Sequence, residues 1–208
     1  MTTLPSWHAP AEHLAVIGRR LYELGLSPAT SSNYSCRLNA EHCLITHSGR
    51  DKGLLTAADI MQVNMQGRPV NGGKPSAETA LHTQLYRRYP DVNAVLHTHS
   101  VATTALTMHA VKNDKLVLEG YELLKVFAGI NTHDARVELP IFPNTQDIDQ
   151  LAHDVDTRLD QAFFPAYLIR GHGLYTWADN LDHCFHQIEA LEHLLKVELA
   201  RHQLGDLQ

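Results

Sequence analysis

Two histidines two residues apart, in Ala94-Val95-Leu96-His97-Thr98-His99-Ser100, close an apolar run that reads as a buried strand. Side chains alternate along a strand at ~3.3 Å per residue, so His97 and His99 project from one side about 6.6 Å apart and can reach one ion. Two neutral imidazoles at the carboxyl end of a strand make the stiff half of a tetrahedral zinc site that still needs a third donor. His172 is the best candidate for that donor. It lies between Gly171 and Gly173 after a second apolar strand, where backbone free of side-chain bulk lets a ring face a cleft. His47 is its rival. Three protein ligands would leave one position for substrate, the catalytic arrangement of zinc rather than the structural one. Singly, each of these residues is ordinary among the 15 histidines of the chain, so the argument rests on their combination.

Two carboxylates could move protons beside such a centre. Glu78 follows Lys74-Pro75-Ser76 at a helix start, where an acid also serves simply to complement the helix dipole. Glu122 follows Glu119-Gly120-Tyr121 on a short helix, where an exposed acid is the ordinary finding. Three turns, Ser31-Ser32-Asn33-Tyr34-Ser35, Thr46-His47-Ser48-Gly49 and Pro75-Ser76, offer hydroxyl and N–H donors to an anion, and Ser76 could cap a helix whose N-terminus favours phosphate. His183, His186 and His193 ride the last helix on a solvated or interface face rather than as a second metal site.

The elements that must hold these groups are legible from periodicity. A helical stripe at Leu14, Ile17, Leu21 and Leu24 predicts a helix over 10–24, stopped by Gly25 and Pro28. Runs 34–38 and 43–46 predict a hairpin, and 60–65 a further strand. A helix opened by Ser76, with Ala77, Leu81, Leu85 and Tyr89 on one face, leads through Pro90 into the histidine strand. Beyond it the pattern predicts helix over 100–108, strand over 115–118, a short helix over 121–127 and strand over 137–142. A helix then carries Ile148, Leu151, Val155 and Leu159, followed by strands 166–169 and 174–177 and a long closing helix capped by Asn180. Helices interleaved with hairpin-like strands predict a mixed sheet covered by helices, one α/β domain over 1–208.

Composition narrows the partners. The net charge is −6 and the 17 basic residues form no block, so nothing points to nucleic acid or an anionic membrane, and a small substrate is expected. Residues 1–15 carry no basic start followed by an apolar stretch, and no run approaches the ~20 apolar residues of a membrane span. Cys36, Cys43 and Cys184 form an odd set without metal-site spacing, which fits reduced thiols in a cytoplasm.

In order along the chain, Asn33 with Ser35, Ser48-Gly49, Pro75-Ser76 then Glu78, His97-Thr98-His99 and Gly171-His172-Gly173 resemble the class II sugar-phosphate aldolases and their relatives. Lys74-Pro75-Ser76, Tyr121-Glu122-Leu123-Leu124-Lys125, Pro143-Asn144-Thr145 and His172-Gly173-Leu174-Tyr175-Thr176-Trp177 look most like that family's dehydratase branch, which removes water from a methylthio-substituted ketose phosphate. The resemblance implies a three-layer α/β/α fold with a mainly antiparallel sheet and one zinc per subunit on His97, His99 and His172. It implies substrate phosphate among Ser32, Asn33, Ser48, Gly49 and Ser76, and a homotetramer with sites at subunit boundaries. It makes both glutamates candidates for the catalytic acid/base, Glu122 first and Glu78 second. The position of Glu78 works beside the metal in the aldolases, and that of Glu122 is the acid/base in the dehydratases. Ser32 stands where relatives often have Gly, and Ala77 where aldolases have a hydroxyl residue. The alternatives are a retro-aldol lyase on a deoxysugar phosphate and, from another class, a non-catalytic scaffold like the adducin head.

Overall fold

The computed structural model describes residues 5–109, 113–159 and 164–205; of the segment 1–15 read above for a leader, the first four residues lie outside these. Eight strands form one sheet: β1 (Asn33–Arg37), β2 (His42–Thr46), β3 (Ile60–Asn64), β4 (Ala94–Thr98), β5 (Lys115–Glu119), β6 (Arg136–Phe142), β7 (Ala166–Ile169) and β8 (Gly173–Ala178). Their order is β3-β2-β1-β4-β8-β7-β6-β5. Every neighbouring pair is antiparallel except β6 and β7, so the expected mixed, mainly antiparallel sheet is what forms.

Among the described residues five α-helices cover it: α1 (His8–Glu23), α2 (Thr79–Arg88), α3 (Val101–His109), α4 (Ile148–Arg158) and α5 (Leu181–Leu204). On one face, Leu14, Ile17 and Leu21 of α1, Leu106 of α3 and Ile188, Leu191 and Leu195 of α5 pack on Tyr34, Leu96 and Leu174. On the other, Leu81 and Leu85 of α2 and Leu151 and Val155 of α4 pack on Val95, Tyr175 and Trp177. Central strands buried on both faces explain why β4 and β8 read as continuous apolar runs rather than alternating ones. The result is the three-layer α/β/α arrangement.

Asn180 caps α5 as expected, its side chain accepting from the His183 amide. Ser76 does not cap α2. The helix starts at Thr79, because residues 76–79 form a tight turn in which the Thr79 amide and hydroxyl both donate to the Ser76 carbonyl. Ser76 Oγ accepts from the Glu78 amide at 3.3 Å, and Ala77 falls outside the helix. The outcome is useful for chemistry, since Glu78 sits at the junction of turn and helix rather than along a solvated face.

Candidate active site

Antiparallel pairing of β4 with β8 brings the carboxyl end of the histidine strand beside the turn that carries His172. His97 is the last but one residue of β4, His99 lies just past the strand, and His172 sits in the β7–β8 turn. The His99 amide is held by the Leu26 carbonyl at 2.9 Å, and the His172 amide by the Ile169 carbonyl at 3.1 Å. Gly173 permits the approach: a Cβ there would stand 2.1 Å from the Thr98 carbonyl oxygen and 2.7 Å from Cε1 of His97. The three rings present one nitrogen each within 4.8 Å of one another, and the Nε2 atoms of His97 and His99 are 2.8 Å apart. His47 is not part of this cluster; it forms a backbone bridge with Pro75.

His97 Nδ1 donates to the Leu174 carbonyl at 3.0 Å, which places its proton on Nδ1 and leaves the Nε2 lone pair facing the cluster. Burial holds His97 well below its ordinary pKa and brings His99 down to about 4. Both are therefore neutral donors at pH 7. A carboxylate completes the group: Glu78 oxygens stand 3.0 Å from His172 Nε2 and 3.3 Å from His97 Nε2. Three imidazole nitrogens and a carboxylate crowded on one point, with too few protons to bridge them, fit a divalent cation of the kind that imidazole prefers.

Glu78 is tightly specified. Tyr175 Oη and Asn33 Nδ2 donate to its Oε2 at 2.5 and 2.8 Å. Burial alone would raise its pKa, but attraction to the His97 and His172 rings when these carry a proton, with the hydrogen bonds from His172 and Tyr175, outweighs that and holds it below the usual carboxylate range. Behind Asn33 the donors line up: His82 Nε2 donates to Asn33 Oδ1 at 2.5 Å, Ser35 Oγ donates to His82 Nδ1 at 2.6 Å, and the Tyr86 hydroxyl backs Ser35 at 2.8 Å. Every link is buried, so the chain is a fixed ladder of donors ending on the carboxylate. Tyr175 and His82 escaped the sequence reading because one looks like a core strand aromatic and the other like one more histidine on a helix.

The three anion turns are neighbours. The Ser48 amide donates to the Lys74 carbonyl and His47 bridges Pro75, which joins the turn at 47–49 to that at 74–76. Lys52, 1% exposed, donates to the carbonyls of Thr30 and Arg50 at 3.2 and 2.8 Å and so ties the turn at 29–32 to the same region; burial lowers its pKa to about 8. Ser32 has φ +70°, a left-handed conformation that favours glycine, and Gly49 has φ +74°. Ser48 and Gly49 are exposed, Ser76 half-buried, Ser32 and Asn33 buried. The Asn33 amide is committed to Glu78, so its side chain serves the carboxylate rather than an open anion site.

Glu122 is not brought to the histidines within this chain. It begins a 3₁₀ turn over 122–126, its side chain is 71% exposed, and its carboxylate is held by Lys125 Nζ at 2.6 Å, which lowers its pKa.

A cluster of three imidazoles with a carboxylate, on a helix-covered mixed sheet, is an arrangement that can hold a metal ion in an α/β enzyme. The chain belongs to the class II aldolase and adducin N-terminal domain family, whose model matches residues 12–199. It is 58% identical over 190 residues to a methylthioribulose-1-phosphate dehydratase of Alcanivorax borkumensis, covering 91% of this chain and 90% of that protein. It is 50% identical over 191 residues to one of Marinobacter nauticus, covering 91% and 92%. Among solved structures it resembles YgbL of Escherichia coli, described as a putative aldolase/epimerase/decarboxylase, with a TM-score of 0.81, 25% identity and coverage of 98% of this chain and 93% of that one.

Proposed function

We propose that this chain, one domain over 1–208, is a zinc-dependent hydro-lyase of methionine salvage. It converts 5-methylthioribulose 1-phosphate to 2,3-diketo-5-methylthiopentyl 1-phosphate. One observation carries the reading: an intact three-histidine, one-glutamate cluster in a chain 58% identical to a protein named for that reaction. His97, His99 and His172 would hold the zinc, which when bound supplies a Lewis acid for the carbonyl and adjacent hydroxyl oxygens.

The chain's own groups do the rest. The turns at Ser48-Gly49 and Ser76, with the backbone of the Ser32-Asn33 turn rather than the Asn33 side chain, bind the phosphate and so fix the ketose end on. A carboxylate takes the C3 proton, the C4 hydroxyl leaves as water with a proton returned to it, and the resulting enol ketonises. Glu78, kept ionised by its donors, stays beside the metal. Glu122 is the acid/base, and because it points to solvent in one protomer, it reaches a site from a neighbouring subunit of a homotetramer. The free, buried thiols of Cys36, Cys43 and Cys184 support a cytoplasmic setting. Among the described residues no helix is long and apolar enough to cross a membrane.

Product analysis tests the reaction. The zinc-loaded protein with 5-methylthioribulose 1-phosphate should release the diketone with loss of one water. Carbon–carbon cleavage products in its place would make it an aldolase, and no turnover with zinc fully bound would remove the enzyme reading.

A further inference from the structure

Glu192 is a buried acid far from the reacting groups in sequence, 1% exposed on the face of α5 that packs toward β4 and α3. Burial pushes its carboxyl upward, and hydroxyls of Ser100, Thr98 and Thr103 work against that. Thr98, the residue between His97 and His99, donates its hydroxyl to Glu192 Oε1 at 2.5 Å, and Thr103 donates to Oε2 at 3.4 Å. Ser100, next after His99, accepts from the Thr103 amide at 3.0 Å and starts α3. Further along α3, Thr107 Oγ1 accepts from the Gly171 amide at 3.0 Å, one residue before His172. One carboxylate thus grips the turn bearing two of the histidines and the first turn of the helix that props the third.

We infer that Glu192 is a positioning residue for the metal centre, holding the β4–α3 turn and α3 so that His97, His99 and His172 converge. The inference rests on the reading of that cluster as a zinc site. A carboxylate accepting from two hydroxyls suits this role because the reach is short and both donors are fixed by one side chain. Supports of this kind around metal ligands typically change affinity by about 10–100-fold when removed.

Zinc competition against a chromophoric chelator, with cobalt absorption as the signature of ligand geometry, tests it on the full chain and on Thr98→Val, Glu192→Met, Glu192→Gln and the double variant Thr98→Val/Glu192→Met. Thr98→Val takes from Glu192 its shortest hydrogen bond and Glu192→Met leaves the Thr98 hydroxyl unpaired, so both should lose melting temperature, whereas the double variant should regain part of it, Thr103 keeping its hydrogen bond with Ser100. The expected result is zinc binding weakened about 10–100-fold in the double variant despite its partly recovered stability. Glu192→Gln, which keeps an acceptor for Thr98, should lose least. Zinc affinity within about twofold of the unaltered chain in the double variant, with an unchanged cobalt spectrum, would overturn the inference while leaving the zinc reading intact. Failure of the unaltered chain to bind zinc would overturn both.

Discussion

The two glutamates sit in opposite surroundings. Glu78 is enclosed by His97, His172, Tyr175 and Asn33, each within hydrogen-bonding or ion-pair distance, with a buried ladder of donors behind. Glu122 has a single Lys125 contact on an exposed turn. Such a contact between solvated groups contributes little to stability and holds no geometry. Near it the chain leaves Leu123 and Val126 37% and 39% exposed, and next to the histidine turn it leaves Val101 80% exposed. The contrast teaches that this chain by itself brings Glu78 to the three histidines and leaves Glu122 on the surface, outside that cluster.

The largest effect should come from changing each carboxylate to its amide. Glu122→Gln should lower kcat by ~10²–10⁴, the usual contribution of general acid–base catalysis, with zinc content and KM retained. Glu78→Gln should chiefly lower zinc occupancy, with a smaller loss of kcat at saturating zinc. Mixing sharpens the comparison: subunits carrying Glu122→Gln combined with subunits carrying His97→Asn should regain activity that neither has alone, because some sites then draw intact parts from both. Absence of any regain, together with loss of C3-proton exchange in zinc-loaded Glu78→Gln, would make Glu78 the working base and Glu122 a surface acid.

A middle-sized effect concerns the ladder behind Glu78. Burial lowers His82 from its ordinary 6.5 to about 4, so the unfolded chain binds a proton that the folded chain refuses between those values. Its contribution to stability is fully present above pH ~6.5 and is lost as pH falls toward 4, about 3 kcal/mol in all and about 2 kcal/mol by pH 5. Denaturant unfolding of the zinc-free protein at pH 7.5 and 5 should show this loss, to which His99 adds by the same sign. His82→Gln should flatten it. An identical pH slope in that variant would show that the ladder does not carry the effect.

The smallest effect concerns the anion turns. Ser76→Ala removes one hydroxyl from a half-buried turn and should raise KM about 2–10-fold with kcat little changed, the worth of one hydrogen bond. Inorganic phosphate should inhibit this variant correspondingly less, and equal KM and inhibition would move the phosphate elsewhere.

Much of this was legible in the chain. The stripe of α1, the hairpin of β1 and β2, the histidine strand and the cap at Asn180 are local patterns, and local patterns write themselves in spacing. The histidine cluster was legible because two of its members lie two residues apart on one strand and glycines flag the third. The start of α2 was misjudged because Ser76 bonds to the turn it sits in, a competition between local hydrogen bonds that residue type alone does not decide. Tyr175, His82 and Glu192 were missed for another reason. Tyr175 meets Glu78 across 97 positions and Thr98 meets Glu192 across 94, so their partners are chosen by the order of strands and helices rather than by neighbours.

Gly173 carries a last consequence. The hydrogen atom it presents in place of a methyl group acts as the spacer between two ligand-bearing segments, with the Thr98 carbonyl on one side of the gap and His172 one residue away. Its tolerance is far smaller than a carbon atom's radius. A change as mild as Gly173→Ala, which alters no charge and none of the three histidines, is therefore a change in the bore of their cluster: strand separation and the spacing of the rings are one dimension here.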